Sequence, residues 1–223
     1  MQPKIDMIPC ISVENMHTSD AYKIANFVPS LELMHRAAMG VFKDYPWSGS
    51  TAIVVGSGNN GGDGFALAWI LKERGFDCTV FTASRKMSPD STYYAEKARK
   101  SGVPVRPFES GALIGFDTVV DWLLGTGFSG TVRGNYRDTI VAINTSGSFV
   151  ISVDINSGMN GDTGEAKLAV QSDLTVTIGF VKTGLVRENA GRYIKRLVVP
   201  ILALCWSEKK GLSPKKPTRP GWI

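Results

Sequence analysis

The sequence predicts an α/β fold in three layers, with a mostly parallel sheet covered by helices on both faces and an N-terminal helical extension. Three observations lead there. Hydrophobic periodicity switches repeatedly along the chain between two and roughly three and a half residues. Apolar runs rich in Val, Ile and Thr end again and again on glycine and a polar residue. The 223 residues, 43% hydrophobic and 20% charged, suffice for one well-buried core and contain no linker-like stretch.

Two helices come first, at 19–27 and 30–45; in the second, Leu31, Met34, Ala37, Ala38 and Val41 share one apolar face. Strands are expected at 51–56, 78–82, 103–107, 116–121, 149–154, 173–179 and 193–199. Helices near 63–74, 89–101 and 133–145 fill most of the gaps, the alternation that builds parallel sheets. Residues 1–206 are expected to form a single domain. Residues 207–223 hold four lysines and one arginine against one glutamate, so +4 of the formal +5 sits in a proline-rich tail expected to be disordered and dispensable.

Composition narrows the function. With the charge confined to that tail, and no aromatic stacking platform or recognition-helix pattern, nucleic acid is not an expected partner. No apolar run approaches the roughly 20 residues a membrane helix needs, and Met1 to Pro9 has Lys4 and Asp6 without an apolar core, so a cytoplasmic protein is expected. Cys10, Cys78 and Cys205 are widely spaced and the two histidines, His17 and His35, lie near the N-terminus, which gives no zinc-type cluster. Cys78 opens a buried strand and reads as a small core residue, and His35 as a packed or surface side chain of its helix.

The chemistry starts in TAIVVGSGNNGGDGFALAWILKERG, residues 51 to 75, an apolar strand, a glycine-rich turn and an amphipathic helix in one run. Glycines at 56, 58, 61, 62 and 64 are expected to let the backbone approach a ligand or take positive φ, beside the free N–H groups of a helix start. Gly56, Gly58 and Gly61 satisfy the spacing of a dinucleotide fingerprint. Asp63, however, places a carboxylate where a pyrophosphate would sit, and the following strand ends without an acid to hold a ribose. Two further clusters, VDWLLGTGFSGTVRG at 120–134 and SVDINSGMNGDTG at 152–164, set Asp121 and Asp154 at strand ends, where ligands collect in such sheets.

GNNGGDG, the VDWLLGTG segment, SVDINSGMNGDTG and the KTGL run that opens at Lys182 together resemble the YjeF N-terminal domain family, the NAD(P)H-hydrate epimerases, over about residues 12–199. That resemblance implies a Rossmann-like topology put to cofactor repair: interconversion of the R and S forms of NADHX and NADPHX, which a separate NAD(P)H-hydrate dehydratase then restores. It further implies a bound potassium ion and a homodimer.

By the same resemblance Asn59, Asn60, Gly61, Gly62, Asp63, the loop Gly125, Thr126, Gly127, Phe128, Ser129, Gly130 and Thr131, and Asp154 contact the hydrated cofactor. Asn60, Asp121 and Ser157 hold the potassium. Asp154 is the expected catalytic acid and base, with Lys182 orienting it or a phosphate; Asp63 is the alternative acid. Asn156 stands where the usual motif has proline. The N-terminal helices, through Leu31, Leu33, Met34, Ala37 and Met39, are the expected two-fold interface. Two other readings stand beside the epimerase: a catalytically silent nucleotide-binding scaffold and an NAD(P)-dependent oxidoreductase.

Overall fold

The computed structural model describes residues 10–200. The basic tail, Cys205 and Met1 to Pro9 lie outside that range. In chain order the elements are β1 (Cys10–Ile11), α1 (Val13–Asn26), α2 (Ser30–Asp44), β2 (Thr51–Val55), α3 (Asn59–Glu73), β3 (Cys78–Thr82), α4 (Pro89–Lys100), β4 (Val105–Pro107), β5 (Thr118–Trp122), α5 (Gly134–Asn144), β6 (Phe149–Val153), β7 (Leu174–Val176), β8 (Val181–Lys182) and β9 (Leu197–Val198). Two 3₁₀ turns, Thr183–Val186 and Glu188–Arg192, lie between β8 and β9.

Seven strands form one sheet in the order β4-β3-β2-β5-β6-β7-β9, every pairing parallel. The chain leaves β2 toward β3 on one side and later returns to β5 on the other. This reversal of strand order opens a crevice at the carboxyl ends of β2 and β5. Alternation along β2 sends Ile53 and Val55 into a core with α2, α3 and α4, and Ala52 and Val54 into a second core with α5 and the segment around Phe108 and Leu113. Cys78 is part of the first core, and burial pushes its thiol up to about 11. His35 packs beside Trp69, with ring centroids 5.6 Å apart.

The differences from the sequence reading have physical causes. Helix α1 begins at Val13 rather than 19, because Ser12 caps it by accepting from the Asn15 amide; Met16 is its one buried residue, so apolar periodicity could not mark its first turns. Helix α3 begins at Asn59 rather than 63, so the glycine run is helix rather than turn. None of Gly56, Gly58, Gly61, Gly62 and Gly64 has positive φ, which corrects that expectation. A Cβ on Gly61 would stand 2.5 Å from the Gly56 carbonyl oxygen, one on Gly62 2.9 Å from Met34 Sδ, and one on Gly64 2.7 Å from Val55 Cγ1. These glycines let α3 lie hard against the sheet and α2. The segment 173–179 keeps ladder pairing only over Leu174–Val176, and 193–199 only over Leu197–Val198.

The pair β1–β8 was not legible in the sequence. Cys10 pairs Val181 and Ile11 pairs Lys182, which ties the start of the chain to the strand that carries Lys182. Thr183 Oγ1 adds a bond to the Ile11 carbonyl at 3.0 Å, and Asp162 accepts from the Val13 amide at 2.8 Å.

The tightest backbone approach is at Gly56, where a Cβ would meet the Leu123 carbonyl oxygen at 1.9 Å. Neither backbone can yield without moving β2 from β5, so Gly56→Ala is expected to cost at least about 2 kcal/mol of stability in urea unfolding. An unchanged midpoint would contradict this packing.

Candidate active site

The crevice predicted by the strand reversal is a cleft of about 890 Å³. Its floor, at the carboxyl ends of the strands, holds Ser57, Gly58, Asn59, Asn60 and Asp63 from the β2–α3 junction and Asp154 after β6; its side holds Leu123 to Ser129 from the segment after β5, and its far end Ile178 and Gly179. Helix α1 closes it with Met16, His17 and Asp20, and α2 contributes Leu33 and Ala37. Gly58 caps α3 without a side-chain hydrogen bond, and Gly58, Asn59 and Asn60 line the cleft, so the helix start lies where it can donate to a negatively charged group.

Lys182 is completely buried. Its ammonium donates to Asp154 Oδ1, to Thr177 Oγ1 at 3.2 Å and to the Ile178 carbonyl at 2.7 Å, which uses all three hydrogens. Lys182 lies in β8, past the turn that follows β7. A buried ammonium is sustained only by such compensation.

Asp154 ends β6 with φ of 68°, the one non-glycine residue in the left-handed region among the described residues. That conformation costs on the order of 1–3 kcal/mol and concentrates at functional sites. Its amide donates to the Val176 carbonyl at 2.8 Å and its carboxylate to the ion pair is tied by Lys182, so the strained residue is fixed at both ends.

Asp63, half-buried on α3, has no such cation. Burial pushes its carboxyl well above the usual carboxylate range, and the charges of Asp154 and Asp20 push it further. Asp20 is also raised, chiefly by burial, with Lys23 at 3.6 Å drawing it back, Asp154 raising it and Lys182 lowering it. Three carboxylates and one buried lysine thus share a single electrostatic neighbourhood, and the environments of Asp154 and Asp63 differ in kind.

Asp121 is not in the cleft. It is fully buried beneath the loop, where Oδ1 accepts from the Leu123 amide at 3.1 Å and from Ser157 Oγ at 2.5 Å, and Oδ2 from the Ser157 amide at 3.0 Å and Ser152 Oγ at 2.9 Å. Burial raises its carboxyl and these donors pull it back. Ser157 Oγ also accepts from the Leu124 amide at 2.8 Å and stands 3.1 Å from the Leu124 carbonyl. Nearby, Asn60 packs against Gly125, and its buried Nδ2 has no hydrogen-bond partner. Asn156 is buried as well: its amide nitrogen donates to Val170 O, Ser172 Oγ and Tyr193 O, and its oxygen accepts from Thr175 Oγ1. Hydrogen bonds there do the bracing that a proline ring would do.

Of the residues expected at the site, Asn59, Asn60, Asp63, Gly125, Thr126, Gly127, Phe128, Ser129 and Asp154 line the cleft. Gly61 and Gly62 are buried packing positions, Gly130 lines a second, neighbouring hollow with Phe128 and Ser129, and Thr131 lines neither. Among the described residues, no group of three or more His, Cys, Asp and Glu is placed to hold a metal ion, and no helix is long and apolar enough to cross a membrane. Sequence reasoning missed Met16, His17 and Asp20, because a single acid on a mainly polar helix gives no signal until the helix is placed.

Fold and cleft together define a parallel α/β protein of Rossmann-like topology whose cleft is built from carboxylates, a buried lysine and an open helix start. Residues 30–184 match the family model described as YjeF-related protein N-terminus, and the chain belongs to that family. It is 33% identical to an NAD(P)H-hydrate epimerase of Limosilactobacillus fermentum, covering 85% of this chain and 94% of that protein. It is 35% identical to a bifunctional NAD(P)H-hydrate repair enzyme of Coxiella burnetii, covering 86% of this chain but only 43% of that protein, so it spans under half of the longer relative. Among solved structures, a yeast protein, YNL200c, shares the fold with a TM-score of 0.74 at 20% identity, over 86% of this chain and 88% of that one.

The raised carboxyl of Asp63 makes a linkage prediction. Its folded range lies above its unfolded one, so its contribution to stability is complete below the ordinary carboxylate range and is lost as pH rises through the raised value. Asp63→Asn, which cannot ionise, should therefore gain stability relative to the native protein as pH rises above the ordinary carboxylate range, about pH 4, in urea unfolding. A native protein that gains on the variant over that rise would contradict the assignment.

Proposed function

We propose that this protein is an NAD(P)H-hydrate epimerase, an isomerase that interconverts the R and S hydrates of NADH and NADPH for a separate dehydratase. The observation that carries the reading is one cleft holding an ion-paired carboxylate, Asp154 on Lys182, beside a carboxyl kept toward its protonated form, Asp63. A carboxylate tied to a cation beside an acid raised by burial is a usual arrangement for acid and base work.

The reacting carbon carries a hydroxyl and is bonded to the ring nitrogen. The nitrogen lone pair expels that hydroxyl once a proton reaches its oxygen, the C–O bond breaks, and water leaves. Water then adds to the same carbon and surrenders its proton to a carboxylate. Asp63 is suited to give the proton and Asp154 to serve as a carboxylate base beside it; Lys182 holds Asp154 in place and balances its charge. Asn59, Asn60 and the loop Gly125 to Ser129 orient the substrate, with the open start of α3 available to its phosphates.

Potassium is part of the proposal, held by Asn60, Asp121 and Ser157. The donor set suits it: hydroxyl, amide and carbonyl oxygens with one carboxylate. The Ser157 proton can turn from Asp121 to the Leu124 carbonyl, which frees a carboxylate oxygen for the ion. Once bound, the ion supplies positive charge that offsets the acids beside an anionic substrate. A cytoplasmic location and a homodimer complete the reading. The two-fold contact is better drawn through the end of α1, where Tyr22 and the following Phe27 are exposed, than through α2, whose Met34 is in the core and whose Leu33 and Ala37 face the cleft.

Asp154→Asn is expected to remain folded and to lose roughly 100-fold or more of R to S interconversion of NADHX, followed by chiral separation. Retained rapid exchange would refute the assignment, and tight binding without exchange by the native protein would favour a silent scaffold. If potassium occupies the site, the melting temperature should rise in potassium chloride over lithium chloride at equal ionic strength, by about 2–4 °C for each kcal/mol of binding. Identical melting in both salts would remove the cation from the account.

A further inference from the structure

Helix α1 lies outside the segment that the family model matches, residues 30–184, yet it forms one wall of the cleft. It touches both sides of the opening. Met16 packs at the turn before β8, where a Cβ on Gly179 would stand 2.8 Å from its terminal methyl. His17 Nε2 bonds to Thr126 Oγ1 of the opposing loop at 2.9 Å. Asp20 follows Met16 by four residues, so it shares that helix face and projects into the space the helix spans. The other two acids enter from the floor, Asp63 from α3 and Asp154 from the end of β6. Tethering by β1 to the strand of Lys182 fixes α1 in this position.

Inverting one carbon makes a demand that a one-sided site cannot meet. The hydroxyl must leave one face of the ring and water must arrive at the other, so proton-transfer groups are needed on both sides. Resting on the epimerase reading above, we propose that Asp20 is the second-face catalytic residue: Asp63 and Asp154 serve the face toward the floor, and Asp20 serves the face toward α1. In one direction Asp63 protonates the departing hydroxyl, the C–O bond breaks on the floor side, and a water on the α1 side bonds to carbon and passes its proton to Asp20. In the other direction Asp20 returns that proton to the departing hydroxyl, and the water entering on the floor side restores one to Asp63, directly or through Asp154. No oxidant or further reactant is required.

The test follows the ratio of two rates in water enriched in ¹⁸O, starting from a single epimer: uptake of label and inversion of configuration. In the native protein the two run at comparable rates. In Asp20→Asn, water leaves and returns on the floor side alone, so the ratio of label uptake to inversion is expected to rise at least about tenfold while inversion falls. Asp20→Ser is to be measured alongside, in case the first variant does not fold. An unchanged ratio in a folded variant, whether both rates fall together or neither does, would overturn the proposal, since a purely structural role moves both rates alike. Inversion by the native protein without uptake of label would also overturn it, by showing that the hydroxyl does not leave. A native protein that inverts nothing would instead defeat the epimerase reading itself.

Discussion

Everything at the cleft depends on burying one ammonium group. Lys182 gives up all of its hydration, and the structure answers with a carboxylate, a hydroxyl and a carbonyl drawn from the ends of β6 and β7. Meeting that demand fixes Asp154 at positive φ, brings the turn at Ile178 under the lysine, and sets β8 where β1 can pair with it. Through β1 the demand reaches α1, and so the wall of the cleft. A lysine in water would leave each of these segments free to take other positions.

A second constraint works beneath the loop. Asp121 gathers donors from Leu123, Ser152 and Ser157, which locks the carboxyl ends of β5 and β6 together and fixes where the glycine loop departs. The ladder alone would not do this, because β5 and β6 pair only as far as Asp121 and Ser152. The Asp121 hub thus positions the loop from below, while the Lys182 pair positions the acid opposite it. Between them lies the start of α3, held close by glycines chosen for contact with Gly56, Met34 and Val55.

Much of this was legible in the sequence. Apolar runs that end on glycine and acid located five of the seven sheet strands to within two residues, since strands buried on both faces read as continuous hydrophobic stretches. Asn59, Asn60, Asp63 and Asp154 were legible as cleft-lining residues because they follow the carboxyl ends of parallel strands. Three things escaped. The glycine run reads as a turn, because propensity disfavours glycine in helices by about 1 kcal/mol per residue and only packing reveals the reason for it. Pairing of two residues, as in β1 and β8, leaves no periodicity to read. Asp20 sits on a helix with one buried residue, and its relation to Asp63 and Asp154 exists only in three dimensions.

The central claim, that Lys182 and Asp154 depend on one another, is most directly tested by a double-mutant cycle in urea unfolding. Lys182→Met leaves a mostly buried carboxylate without its cation and Asp154→Asn leaves a buried ammonium without its anion, so each should be costly. The account predicts that the double variant is more stable than the sum of the two losses allows, with a coupling energy of about 2 kcal/mol or more. Losses that simply add would contradict it, and would show that the site is held in place by something other than this pair.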